Sequence, residues 1–117
     1  MKNYRFVISK TNQEIFENIH SGKKKIETRA ATIRYKDIAV GDTIVFVCNG
    51  SSFEQKILRV EHFSSVEDLL KKYKPKDINP KIKTADELRT LYYSFPGYKE
   101  KIKKFGLIAL TLSKGDT

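Results

Sequence analysis

The sequence predicts an α+β fold: a small mixed β-barrel with helices packed at its ends, in one domain over residues 1–117. Three observations lead there. Apolar, strand-like runs open and close the chain, YRFVI (Tyr4–Ile8) and FGLIALTL (Phe105–Leu112). A hairpin signal, Asn49-Gly50, joins two more in the middle. Two capping boxes, Thr11-Asn-Gln-Glu14 and Thr84-Ala-Asp-Glu87, open helices between them. A sheet of such strands is most economical when curled, because closure removes exposed edges.

YRFVI is read as the first strand. The helix opened by Thr11 carries Ile15, Phe16 and Ile19 on one face and stops at Gly22, the residue suited to a left-handed cap. KKIETR is extended, and AVGD (Ala39–Asp42) turns into TIVFVCN (Thr43–Asn49), an apolar run that reads as a strand buried on both faces. After Asn49-Gly50, SFEQKILRVEHF alternates imperfectly, which predicts a long, bent strand. Ser64 and Ser65 start a short helix with Val66, Leu69 and Leu70 inward, ending before Pro75. KPKDINPKIK, with two prolines and few large apolar groups, reads as a surface loop. The helix after Thr84 sets Leu88, Leu91 and Tyr92 on one stripe until Pro96-Gly97 breaks it. FGLIALTL is then a buried strand that must find a central place.

With 117 residues the chain suits one core, and its thirteen aromatics and 39% hydrophobic content are those of a globular protein. The single cysteine, Cys48, excludes a disulfide framework and favours a cytoplasmic setting. Neither a signal peptide nor a membrane span is legible. His20 and His62 have no ligand-spaced neighbours, so no metal and no cofactor is expected. No Walker loop, G-x-G-x-x-G or G-x-S-x-G occurs.

The net charge of +9 favours polyanionic partners. It is concentrated: six cations against one carboxylate from Gly22 to Lys36, six lysines against one aspartate from Lys71 to Lys83, and four lysines around Glu100. Sharing a face, these segments would form a track for single-stranded nucleic acid, with Tyr92, Tyr93 and Tyr98 available for stacking. Within the first lies G-x-K-x-x-E-x-R: Gly22, Lys24, Glu27 and Arg29. Arg29 offers a planar fork for phosphate or carbonyl oxygens, Lys24 a compact charge, and Glu27 an acceptor for a base's exocyclic amine. Strict alternation places Lys25, Glu27 and Arg29 on one face, so Lys24 joins Glu27 only through irregular backbone after Gly22. A plain surface ion pair, worth ~0–1 kcal/mol, is the structural alternative.

This pattern resembles the signature of the ASCH domain family, within the PUA-like superfamily of small β-barrels. VGDTIVF (Val40–Phe46), VEDLLKKY and FGLIALTL resemble its G-D strand, mid-chain helix and closing strand, and the resemblance runs over about residues 12 to 113. It implies a positively charged cleft floored by the motif that takes RNA or a nucleotide-like ligand. The ligand-contacting residues are then Gly22, Lys23, Lys24, Glu27 and Arg29, with Tyr93 from the later helix. Some bacterial relatives are amidohydrolases that deacylate N4-acetylcytidine. In them the lysine matching Lys24 is catalytic, a threonine stands at the position of Glu27, and a further glutamate comes from between the middle helices. Here that region, Pro75 to Thr84, holds only Asp77. If the chain is an enzyme, Lys24 and Glu27 are the catalytic candidates, with Glu27 activating water. The leading expectation is a stand-alone RNA- or nucleotide-binding domain, the alternative an amidohydrolase of acylated cytidine. A third reading is a protein-interaction domain whose charge is incidental.

Overall fold

The computed structural model describes residues 1–113; residues 114–117, the end of the expected domain, lie outside the described residues. The strands are β1 (Asn3–Val7), β2 (Ile26–Ala30), β3 (Thr43–Cys48), β4 (Ser51–Phe63) and β5 (Leu107–Leu112). The α-helices are α1 (Gln13–Ser21), α2 (Val66–Lys72), α3 (Pro75–Ile78), α4 (Ala85–Ser94) and α5 (Tyr98–Phe105). One five-stranded sheet runs β1-β3-β4-β5-β2, with β1 parallel to β3 and the other pairs antiparallel. It curls as expected but does not close: β1 and β2 remain its two edges.

The hairpin forms where predicted. Asn49 at φ 49° and Gly50 at φ 83° supply the two positive φ values of a type I′ turn, and Cys48 pairs with Ser51. The bend in β4 is a register shift between Ile57 and Arg59 that leaves Leu58 unpaired and exposed. β5 occupies the interior place between β4 and β2. Its Ile108, Leu110 and Leu112 enter a core inside the curl with Phe6, Phe16, Ile44 and Phe46. Leu107 and Ala109 enter a second core, under the helices, with Leu69, Leu88, Tyr92 and Ile102.

β3 differs from expectation. Only Ile44, Phe46 and Cys48 are fully buried, while Val45 and Val47 are half-buried. Among the described residues no helix covers the outer face there, whereas β5 carries the helical layer; an apolar run by itself does not separate the two cases.

Two local readings are corrected, and one helix not expected from the sequence is added. The box at Thr11 does not form, because a 3-10 turn (Lys10–Asn12) precedes α1. Thr11 bonds Ser9, and Glu14 reaches Lys81 at 2.5 Å. The expected loop at 74–83 contains α3, whose Ile78 is buried in the second core. The KEKIKK stretch is helical, with Tyr98 and Ile102 one turn apart facing inward and lysines outward. Ser65 and Thr84 cap their helices as expected, each accepting from the amide three residues on. Among the described residues no helix is long and apolar enough to cross a membrane.

Candidate functional site

β2 is an edge strand, and an edge leaves backbone groups without strand partners. Here side chains take that role. Gly22 ends α1 in the left-handed conformation, φ 86°, and turns the chain into Lys23–Lys25. The bend sends Lys24 inward. Its Nζ donates to the carbonyls of Ile26 and Ile78, both at 2.5 Å, tying α3 to the start of β2. The Glu27 carboxylate folds back, with Oε1 accepting from the Thr28 amide at 3.0 Å. The Ala30 amide donates to the Tyr98 hydroxyl at 3.1 Å. Ile26, Thr28 and Ala30 have one parity along the strand, so these bonds occupy the side turned away from β5.

Burial pushes the Lys24 ammonium below the ordinary lysine range; the nearby Glu27 charge opposes that shift and Arg29 adds to it. Among the described residues no ion pair within 4 Å joins Lys24, Glu27 or Arg29 to a partner. Arg29 instead lays its guanidinium 4.2 Å from the centre of the Phe6 ring, with Tyr35 at 5.7 Å.

A cleft of about 380 Å³ opens between the two sheet edges. Its walls are the end of β1 (Val7, Ile8), the turn before α1 (Ser9, Asn12), β2 (Glu27, Thr28, Arg29) and the helical layer (Tyr92, Phe95, Tyr98). Tyr92 and Tyr98 lie nearly parallel, 13° apart with centroids at 6.4 Å, and Phe95 meets Tyr98 edge-on. The Tyr92 hydroxyl shares a hydrogen bond with Thr28, and burial raises the pKa of both tyrosines, so they stay neutral. Among the described residues the second oxygen of Glu27 has no hydrogen-bond partner, and Glu27 lines this cleft.

The motif is therefore divided. Glu27 and Arg29 meet in the cleft; Gly22 shapes the approach; Lys24 lies behind it as a backbone tie. Lys23 and Lys25 line a different groove, with Tyr73 and Lys76. Tyr93, on the outer side of α4, is 43% exposed beside Lys99 and lines neither. The cleft itself holds one cation and one carboxylate, so the positive charge expected there gathers in the other groove. Thr28 and Phe95 were missed, although Thr28 lies inside the motif. No group of three His, Cys, Asp or Glu among the described residues is placed to hold a metal.

The curled mixed sheet, its open edge and the motif-bearing β2 define a small PUA-like α+β protein. The chain belongs to the ASCH domain family, whose pattern it matches over residues 10–115. It is similar to the crystal structure of the hypothetical protein PH0355, with 28% identity and a TM-score of 0.83 over 99% of this chain and 100% of that one. It is also similar to the solution NMR structure of protein PF0455 from Pyrococcus furiosus, with 26% identity and a TM-score of 0.76 over 97% of this chain and 96% of that one. No curated protein matches it by sequence.

Proposed function

We propose that the protein binds single-stranded RNA or a nucleotide-like ligand, one nucleotide entering the cleft between β1 and β2. The observation that carries this is the juxtaposition of Glu27 and Arg29: both line one cleft, and among the described residues neither is neutralised by an ion pair within 4 Å. A nucleotide complements both. Base N–H groups donate to Glu27, oxygens accept from Arg29, and the base lies against Phe95 and Tyr98. Family membership supports the same ligand class.

The test is fluorescence anisotropy of labelled single-stranded RNA against salt. Affinity should fall with a log–log slope of about −0.7 per phosphate neutralised. Arg29→Ala should weaken binding roughly tenfold, as loss of a charged hydrogen-bonding group does. Affinity indifferent to salt and to Arg29 refutes the reading.

Deacylation of N4-acetylcytidine is the second reading, favoured by one feature, the buried Lys24 amine held below its ordinary pKa beside Glu27. Its two carbonyl bonds direct that amine away from the cleft, which supports binding over catalysis. Chromatography after incubation with N4-acetylcytidine tests it: released cytidine, lost in Glu27→Gln, supports the enzyme.

A further inference from the structure

The molecule's lysines do not gather where its motif opens. Lys23 and Lys25 precede β2, and Lys76 lies on α3, more than fifty residues away in sequence. The fold brings all three to one groove of about 540 Å³, walled by Ile26, Tyr73 and Pro80. This unites the first two cationic segments of the sequence on one face.

The groove carries an excess of positive charge, three lysines against Asp77. Lys23, Lys25 and Lys76 are exposed, and none has an ion-pair partner among the described residues. Its one carboxylate, Asp77, accepts from the Lys74 amide at 3.0 Å. Glu61, bonded to the Tyr73 hydroxyl, is also held by Lys72 and Arg59. Tyr73 is thereby anchored through its hydroxyl, with its ring in the groove wall. Unpaired lysines around an anchored aromatic ring and an apolar wall make the platform that single strands use: cations for phosphates and a ring face for a base.

We infer that this groove is a second nucleic-acid contact, a phosphodiester track that holds the strand flanking the nucleotide in the motif cleft. The inference rests on the binding reading above and assigns it a division of labour. The cleft, with balanced charge, reads a base; the lysine groove supplies the salt-dependent attraction. Lys23, Lys25, Glu27 and Arg29 share one parity, so regular alternation does not produce the split; Lys23 and Lys25 lie on the irregular segment before β2, Glu27 and Arg29 within the strand. Lys23 and Lys25 turn into the groove, Glu27 and Arg29 into the cleft, and the buried Lys24 ties down α3 beneath Lys76.

The test compares a mononucleotide with a single-stranded RNA octamer, on the wild type and on Lys23→Ala/Lys25→Ala/Lys76→Ala. These side chains are exposed, so the fold is retained, which circular dichroism verifies. The triple variant should bind the octamer about tenfold more weakly, from three exposed charge contacts. Its salt slope should be shallower by about 2, for three phosphates at 0.7 each. Mononucleotide affinity should not change. An octamer bound by the triple variant with wild-type affinity and slope overturns the groove while leaving the cleft reading intact. Wild type that binds neither RNA ligand overturns both. Lysine-dependent capture of poly-glutamate without RNA binding also overturns the proposal, by assigning the groove to an acidic protein.

Discussion

Lys24→Met tests whether the motif lysine is a structural tie. The wild-type amine is buried and satisfies two carbonyls, one on β2 and the last of α3. Methionine fills much of the same volume but donates nothing. Two buried carbonyls left unsatisfied cost ~2–6 kcal/mol, and release from burying an ammonium returns part of this. The expected net loss is about 2 kcal/mol, close to 8 °C in Tm for a chain of this size. The pH dependence is the sharper signature. Burial lowers the Lys24 pKa in the folded state, whereas the unfolded lysine keeps its proton up to about 10.4. Between those two values the unfolded chain binds more protons, so wild-type stability rises with pH relative to the variant. The gap between the two proteins should therefore widen as pH rises from the lowered folded-state pKa toward that upper limit and then stay constant. Urea denaturation of both proteins at a series of pH values measures it. Equal stabilities, or a gap that stays constant or narrows as pH rises, refute the reasoning.

Other consequences are independent of Lys24. Gly106, at φ 76° and ψ −167°, is in a region open essentially to glycine, and a Cβ there would meet the Phe63 carbonyl at 2.5 Å. Gly106→Ala should cost about 3 kcal/mol or more, while Gly50→Ala, with open space at its Cβ, should cost about 1–2 kcal/mol; similar losses in thermal melts contradict this. Tyr92→Phe should destabilise by about 1 kcal/mol, and a double-mutant cycle with Thr28→Val should show coupling of the same order. Strictly additive losses would mean that the two hydroxyls do not act together. In RNA titrations Phe95→Ala should weaken binding about fivefold or more by removing a stacking surface, whereas Tyr93→Ala should leave it unchanged. The reverse order would move the ligand to the outer face of α4.

Local chemistry made much of the fold legible. Asn49-Gly50 admits few backbones other than a tight hairpin, Gly22 is a left-handed stop, and Ser65 and Thr84 announce their helices. FGLIALTL declared a buried interior strand because apolar groups on both faces need cover on both. The remainder depended on neighbours far along the chain. Ile78 looked like one apolar residue in a lysine-proline loop, and only the second core explains its helix. α5 was masked by its lysines, although Tyr98 and Ile102 repeat at helical spacing.

The motif shows the same division. Its residue types and the freedom of Gly22 could be read in order, and they announced a charged constellation beside an irregular bend. Which charges face the cleft could not be read, because the direction of each side chain depends on what packs behind it. The carbonyl of Ile78 draws Lys24 away from the cleft, the Phe6 ring holds Arg29 in it, and α3 delivers Lys76 to Lys23 and Lys25. Sequence determined which groups are charged and where the backbone bends, since those are properties of single residues and their neighbours. Tertiary structure decided their partners, because burial and hydrogen bonding are settled by groups that meet only when the chain folds.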